Sequence, residues 1–161
     1  MTSKSQHDRT WLLRAVELAR GNLETGDGGP FGAVVVHAGR VIGEGANRVL
    51  RDHDPTAHAE VVAIRAACAA EGHFHLDGAT LYSSCEPCPM CLAAARWAHI
   101  ERIVFAADRA DAAAIGFMDA DLYTLFENLG DPSQLPRERH VLPEAQAAMR
   151  EWVHSPFYVP Y

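Results

Sequence analysis

The sequence lacks the two features that would assign it to a membrane or to export. It contains no long uncharged apolar run, which argues against a membrane span. Residues 1–7 are polar and lack the apolar core of a signal peptide. We therefore expect a cytoplasmic protein, and we expect residues 1–7 to be disordered.

Positive charge is also scarce. Lys and Arg number 14 against 21 Asp and Glu, which gives a formal net charge of −7. An acidic surface repels phosphate backbones, although a local basic patch is compatible with this balance. The composition therefore predicts that nucleic acid is not a partner.

No repeat, low-complexity segment or linker divides the chain, which predicts a single domain over residues 1–161. The hydrophobic pattern predicts alternating elements: strands at 31–37, 40–46, 79–84 and 101–107, and helices at 8–21, 55–71, 88–98, 121–129 and 143–154. Two successive strand–helix–strand units imply parallel pairing with right-handed crossovers. The expected fold is α/β, with helices on both faces of a mixed sheet.

Three of the four cysteines lie together in residues 85–91. In a chain without an export signal, clustered cysteines bind metal more often than they form disulfides. Pro87 and Pro89 mark a helix start. Cys88 and Cys91 are three residues apart and so share one face of its first turn. The helix dipole favours thiolates there, and thiolates are zinc ligands.

The third ligand is expected at His58. Asp54 can cap the next helix and Pro55 suits its first position, so His58 should lie in the first turn. Helices that follow neighbouring strands begin at one edge of a sheet, where sites form. One nitrogen and two sulfurs would leave the fourth position of tetrahedral zinc open for water, which is the pattern of a catalytic site.

Glu60 decides the chemistry expected of this site. It lies two residues past His58, close enough to reach a water at the open position without binding the metal. Zinc lowers the pKa of a bound water to about 7, and a nearby carboxylate can pass the released proton to a substrate. His-x-Glu followed by Cys-x-x-Cys is the signature of zinc deaminases of nucleobases.

Each half of the pattern has a simpler interpretation on its own. A lone His-x-Glu is usually an exposed helix start, and a lone Cys-x-x-Cys could be a structural zinc knuckle or a redox pair. Asn47 could be a turn residue, Asp111 a helix cap and Phe31 a core residue. The two motifs together favour catalytic zinc. A non-catalytic zinc protein and a thiol redox protein are the alternatives.

Three stretches, residues 29–34, 54–60 and 84–91, resemble the cytidine deaminase-like zinc deaminases. Residues 107–117 resemble the small bacterial guanine deaminase branch, whereas transfer-RNA adenosine deaminases tend to have a glycine-rich stretch there and commonly a basic tail. The resemblance covers nearly the whole chain. It implies a three-layer α/β/α fold with a largely five-stranded mixed sheet, one zinc ion per chain and a homodimer.

The resemblance also implies roles for the site residues. His58, Cys88 and Cys91 would hold zinc, and Glu60 would carry the proton. The residues that would contact the base are Asn47, the backbone N–H of Ala59, Phe31, Asp111 and Tyr161. Asp111 would bind the guanine edge and take part in proton transfer. Tyr161 would close the pocket from a tail at residues 155–161 that lies near the active site.

The expected reaction is the hydrolytic deamination of guanine to xanthine and ammonia. Glu60 would move one proton to ring nitrogen 3 and another to the departing amino group. A carboxylate such as Asp111 suits guanine, whose edge near the amino group offers N–H donors. Guanosine, a triazine, a pterin, cytosine and a transfer-RNA adenosine remain as alternative substrates, because only the pocket edge separates them.

Overall fold

The computed structural model describes residues 3–117, 119–128, 137 and 139–159. Contacts divide the chain into two compact units, residues 1–123 and 124–161; the single domain expected from the sequence stays a prediction. The elements are α1 (Ser3–Thr25), β1 (Gly32–His37), β2 (Arg40–Ala46), α2 (Val49–Asp52), α3 (Ala59–Glu71), β3 (Thr80–Cys85), α4 (Pro89–Trp97), β4 (Arg102–Ala107), α5 (Arg109–Ala114), α6 (Asp119–Glu127) and α7 (Pro143–Val153).

The strands form one mixed sheet in the order β2-β1-β3-β4. β1 pairs antiparallel with both β2 and β3, and β3 pairs in parallel with β4. The hairpin predicted between β1 and β2 is confirmed. Its two loop residues, Ala38 and Gly39, have φ values of 49° and 76°, and two positive φ angles match the twist of the strands they join.

One of the two predicted parallel pairings is absent from the sheet that the structure describes. β3 and β4, joined through α4, are neighbours as expected. β2 and β3, joined through α3, run in the same direction but lie on either side of β1. The hairpin gives β1 the place beside β2, so the crossover through α3 spans one strand.

Four strands are found in the described residues, so the five-stranded sheet implied by the resemblance is not matched. The chain turns directly into α5 after β4 ends at Ala107. Asp108 caps α5, and Asp111 completes a capping box with it. Such a box followed by alanines favours a helix over a strand at this point.

Helices cover both faces of the sheet, as predicted. On one face, α1 contributes Ala15 to a cluster with Val34, Val36 and Tyr82. On the other face, α3 and α4 pack against alternate strand residues such as Val35 and Leu81.

Two glycines of β2 set how closely α3 approaches the sheet. A Cβ at Gly45 would collide with the backbone of Ala59 and Ala63, and one at Gly43 with that of Ala63 and Ala67. Because neither glycine has a side chain, α3 lies directly on β2. The start of α3 is thereby brought next to the sheet edge where β2 and β3 end.

The helix α1 begins at Ser3, and the disorder expected of residues 1–7 stays a prediction. Its first turns are anchored by Asp8, whose carboxylate accepts a hydrogen bond from the Tyr82 hydroxyl at 2.8 Å and two from Arg102 at 2.8 and 2.6 Å. This contact is between distant parts of the chain and has no local sequence signal. No helix in the described ranges has both the length and the apolar character needed to cross a bilayer.

Candidate active site

The predicted zinc ligands lie where two helices begin. His58 and Cys88 are the residues immediately before α3 and α4, and both have extended backbone angles. Cys91 is the third residue of α4, so its side chain lies over the start of that helix. Both helices begin at the edge where β2 and β3 end, which brings the two motifs together.

The helix start predicted at Asp54 and Pro55 is wrong. Asp54 stabilises a turn instead: its Oδ1 accepts from the backbone N–H and the hydroxyl of Thr56, at 2.8 and 2.7 Å. Asp forms such turns as readily as it caps helices. The helix begins four residues later, so His58 is the N-cap residue rather than part of the first turn.

The three ligand atoms form a nearly equilateral triangle. His58 Nδ1, Cys88 Sγ and Cys91 Sγ each lie 3.6 Å from the other two. Zinc bonds of about 2.3 Å to sulfur and about 2.0–2.1 Å to nitrogen, at tetrahedral angles, place ligand atoms about 3.5–3.8 Å apart. The triangle therefore fits a tetrahedral zinc ion and leaves the fourth position open.

The two thiols interact through a shared proton. A hydrogen bond from Cys91, supported by His58, lowers the pKa of Cys88. The same hydrogen bond, together with burial, raises the pKa of Cys91. Since zinc binds thiolates, loading the site releases this proton.

Glu60 is buried beside the triangle, with 5% of its surface exposed. Its Oε1 accepts a hydrogen bond from Ser83 at 2.8 Å, and its Oε2 lies 3.4 Å from Cys91 Sγ. Burial raises the pKa of this carboxyl group. One oxygen is thus fixed by β3, while the other faces the metal position, as a proton carrier requires.

A pocket of about 260 Å³ opens over the triangle. His58, Glu60 and Cys88 contribute to its floor, and Phe31 forms a wall with Phe117. The two rings make an edge-to-face contact with centroids 4.8 Å apart and planes at 86°. Such a wall offers a flat apolar surface to a planar ring.

Asn47 also lines this pocket and is nearly fully buried. Its Oδ1 accepts the N–H of Val49 at 3.1 Å, so it is a turn residue and a pocket residue at once. Asn22, which the sequence interpretation did not single out, donates to the carbonyls of Gly29 and Asn47, both at 2.8 Å. These two hydrogen bonds connect the pocket segments that contain Gly29 and Asn47.

The structure does not bring every predicted substrate residue to this pocket. Asp111 Oδ2 accepts the backbone N–H of Asp108 at 3.0 Å, and the residue lines an adjacent cavity. Ala59 is fully buried at the start of α3 and is not part of the pocket lining. Tyr161 lies outside the described residues. The substrate roles of Asn47, Ala59, Phe31, Asp111 and Tyr161 stay predictions.

Some residues at the site were missed by the sequence interpretation. Ser83 holds Glu60, Phe117 contacts Phe31, and Glu86 lines the pocket while pairing with Arg109 at 2.7 Å. Ser83 had a usable signal, because it is a polar residue on the same side as Ala79 and Leu81 in the strand predicted at 79–84. Phe117 and Glu86 had none beyond their presence in the resembling stretches.

Comparisons with known proteins agree with this geometry. Residues 5–107 match the family model of the cytidine and deoxycytidylate deaminase zinc-binding region. The chain belongs to this family. As a zinc deaminase it is a hydrolase of C–N bonds, and zinc is its cofactor, with His58, Cys88 and Cys91 as the ligand set that the geometry supports.

Individual relatives of this zinc deaminase include a guanine deaminase and a tRNA-specific adenosine deaminase. The guanine deaminase of Bacillus subtilis (strain 168) is 46% identical over 143 residues, which are 89% of this chain and 92% of that protein. The X-ray structure of Bacillus subtilis guanine deaminase is similar with a TM-score of 0.87 and 41% identity, covering 100% of this chain and 99% of that one. A tRNA-specific adenosine deaminase of Buchnera aphidicola subsp. Schizaphis graminum is 34% identical over 139 residues, 86% of this chain and 88% of that protein.

Proposed function

We propose that the protein is a guanine deaminase, which hydrolyses guanine to xanthine and ammonia. The observation that carries the proposal is the 46% identity to a guanine deaminase over 89% of the chain, against 34% to a tRNA-specific adenosine deaminase over 86%. The names of the two proteins differ in the substrate, guanine in one and a tRNA adenosine in the other. It also agrees with the branch inferred from residues 107–117.

The size of the pocket supports a small substrate. At about 260 Å³ it is just below the range of about 300–1,000 Å³ found for sites that hold drug-sized ligands. A free base suits this volume better than a nucleoside, because a ribose would need further space. Phe31 and Phe117 would pack against the ring.

The proton transfers fall to Glu60. Zinc held by His58, Cys88 and Cys91 would lower the pKa of a water at the open position, so that the water can attack near neutral pH. Glu60 Oε2 faces this position and accepts the water proton. It delivers that proton to ring nitrogen 3 as the water oxygen adds to carbon 2. It then carries the second proton of that oxygen to the amino nitrogen, which leaves as ammonia when its bond to carbon 2 breaks. Ser83 holds Oε1 throughout, so the carboxylate transfers both protons without a change of position.

Recognition of the base rests on Asn47 and Asp111. The Oδ1 of Asn47 accepts from Val49, which leaves its Nδ2 to donate to an acceptor on the base. The N–H of Ala59 would hold a base carbonyl. Asp111 would bind the N–H donors of the guanine edge, for which its carboxylate must leave the N–H of Asp108. Tyr161, in the tail at 155–161, would close the pocket.

The proposal includes a cytoplasmic homodimer that does not bind nucleic acid. The four cysteines are all free, which suits a reducing compartment. The second unit exposes many large apolar side chains, which are typical of a protein interface. They are Val141, Leu142, Met149, Trp152, Val153, Phe157, Tyr158 and Val159. The net charge of −7 opposes binding to nucleic acid.

The test is ammonia release by the zinc-loaded protein from guanine, guanosine, adenine, cytosine and a pterin. We expect guanine to have the highest kcat/KM and xanthine to be its product. A higher kcat/KM on another compound would refute the guanine assignment but not the zinc chemistry. Deamination of a transfer RNA with no activity on free bases would favour the alternative of a tRNA adenosine deaminase. The similarity to the Buchnera protein is the reason to test this alternative.

A further inference from the structure

A second group of metal-ligating side chains lies at the opposite edge of the sheet from the zinc site. His75 and Asp77 precede β3, and His99 precedes β4. The zinc ligands follow the other end of β3, which has six residues. At about 3.3 Å per residue the two groups are roughly 20 Å apart. The second group is therefore separate from the active site.

The donor atoms of this group are close to the separations found around a metal ion. His99 Nδ1 lies 3.2 Å from Asp77 Oδ1, and one ligand atom from each of the three residues lies within 4.8 Å of the others. Ligand atoms that bind a metal at about 2.0–2.2 Å are about 3.3–3.6 Å apart at tetrahedral angles and about 2.8–3.1 Å apart at octahedral angles. The Asp77–His99 pair is close to this spacing. His75 stacks on His99, so its ring would have to leave this stack on binding to direct a nitrogen at the same ion.

His75 provides the independent reason to look for an ion here. Its Nε2 is buried and has no hydrogen-bond partner among the residues that the structure describes. Its ring stacks on His99, with centroids 3.9 Å apart and planes at 9°. Buried polar atoms are normally satisfied, so this nitrogen needs an explanation. A hydrogen bond between Asp77 and His99 accounts for the 3.2 Å contact but leaves His75 unexplained.

The surroundings are compatible with a cation. The side chains of Asp77 and His99 are 70% and 42% exposed, which gives an ion access from solvent. Glu101, which accepts the N–H of Gly78 at 3.0 Å, adds negative charge nearby.

We propose that His75, Asp77 and His99 bind a divalent transition-metal ion at a second site. Two imidazoles and one carboxylate suit Zn²⁺, Ni²⁺, Co²⁺ or Cu²⁺ better than Mg²⁺ or Ca²⁺, which prefer oxygen ligands. The ion would join the loop before β3 to the turn before β4. Its role is therefore to stabilise the fold rather than to take part in deamination.

The probe is Ni²⁺, titrated calorimetrically into protein that already carries one zinc ion. We expect one further equivalent to bind. The affinity should fall at least about tenfold in His75→Gln, Asp77→Asn and His99→Asn, as loss of a metal ligand predicts. Ni²⁺ at about 100 times its Kd should raise the Tm by about 5–10 °C in the wild type and by much less in the three variants.

His53→Asn is the matched control. His99 and His53 have φ values of 57° and 52°, a backbone conformation that Asn tolerates well. His53→Asn should keep the second equivalent, which would separate this site from general binding of Ni²⁺ to surface histidines. One tightly bound zinc in each variant would show that the fold is intact.

Two results would overturn the proposal: no further equivalent in the wild type, or an equivalent that survives all three substitutions. Asp77→Asn covers the case in which a histidine variant fails to fold, because the Asp77 side chain is largely in solvent.

Discussion

The two edges of the sheet carry metal-ligating side chains that are held in different ways. At the edge where β3 ends, the three ligand atoms are 3.6 Å apart, and Cys88 and Cys91 are 4% and 0% exposed. At the other edge, the atoms lie within 4.8 Å, on loops, and two of the side chains reach solvent. Helix starts packed on a sheet fix ligand geometry before the metal arrives, whereas loops leave part of it to be formed on binding.

Removing one ligand from the preorganised site should have the largest effect. Cys88→Ser replaces a thiolate with a hydroxyl that does not ionise near neutral pH, so zinc should be lost. We expect deamination to fall by at least about 10⁴-fold, because the attacking water is then no longer activated. The measurements are zinc content by elemental analysis and ammonia release from guanine. A variant that retains zinc and turnover would show that Cys88 is not a ligand.

Changing Glu60 should separate metal binding from proton transfer at the same edge. Glu60→Gln keeps the shape and the contact with Ser83, but the amide cannot carry a proton. We expect one zinc ion per chain and a kcat lower by about 10²–10⁴-fold, the usual range for loss of a general acid–base group. Full zinc occupancy with near-normal kcat would refute this role for Glu60.

A substrate role of Asp111 can be separated from its helix-capping role by comparison with Asp108, the other residue of the capping box. Asp111→Ala and Asp108→Ala both remove half of the box and should each cost about 1 kcal/mol of stability. In the proposal, Asp111→Ala alone also removes a contact to guanine and lowers kcat/KM by roughly tenfold, the effect of about 1.4 kcal/mol. Equal losses in the two variants would reduce Asp111 to a helix cap.

The metal ligands could be predicted from sequence because each motif fixes geometry locally. The helix start that spans Cys88 to Cys91 determines how far apart their sulfurs lie, and His58 needs only a helix start at the same sheet edge. The strand boundaries were predicted to within one residue. The order of the strands in the sheet was harder to predict, because the alternation of residues along a strand does not indicate which strand pairs with it. β2 and β3 were expected to pair and lie apart instead.

The residues that position the site were missed for a different physical reason. Asn22 and Ser83 act on groups far away in the chain: Ser83 reaches Glu60 across 23 positions and Asn22 reaches Asn47 across 25. A buried polar side chain is visible in a sequence as an exception to the apolar pattern. Its partner is not visible until the fold brings the two together. The prediction of the start of α3 was wrong for another reason: a turn that begins with Asp and a helix capped by Asp have the same sequence signature.

Ser83→Ala should have the smallest effect on catalysis of the variants at the active site. It also tests whether preorganisation at this edge of the sheet extends from the metal ligands to Glu60. The substitution removes the hydrogen bond to Glu60 Oε1 and leaves the zinc triangle untouched. If the carboxylate depends on this contact for its position, kcat should fall by about three- to tenfold while KM and zinc content stay unchanged, a loss equivalent to about 0.7–1.4 kcal/mol.

Ser83→Thr keeps the hydroxyl and is the matched control. It should restore kcat if the buried site accepts one more methyl group, and its Tm shows whether it does. A KM effect without a kcat effect would mean that Ser83 shapes the pocket instead of holding the carboxylate. An unchanged kcat in Ser83→Ala would mean that burial alone positions Glu60, and that preorganisation at this edge extends no further than the metal ligands.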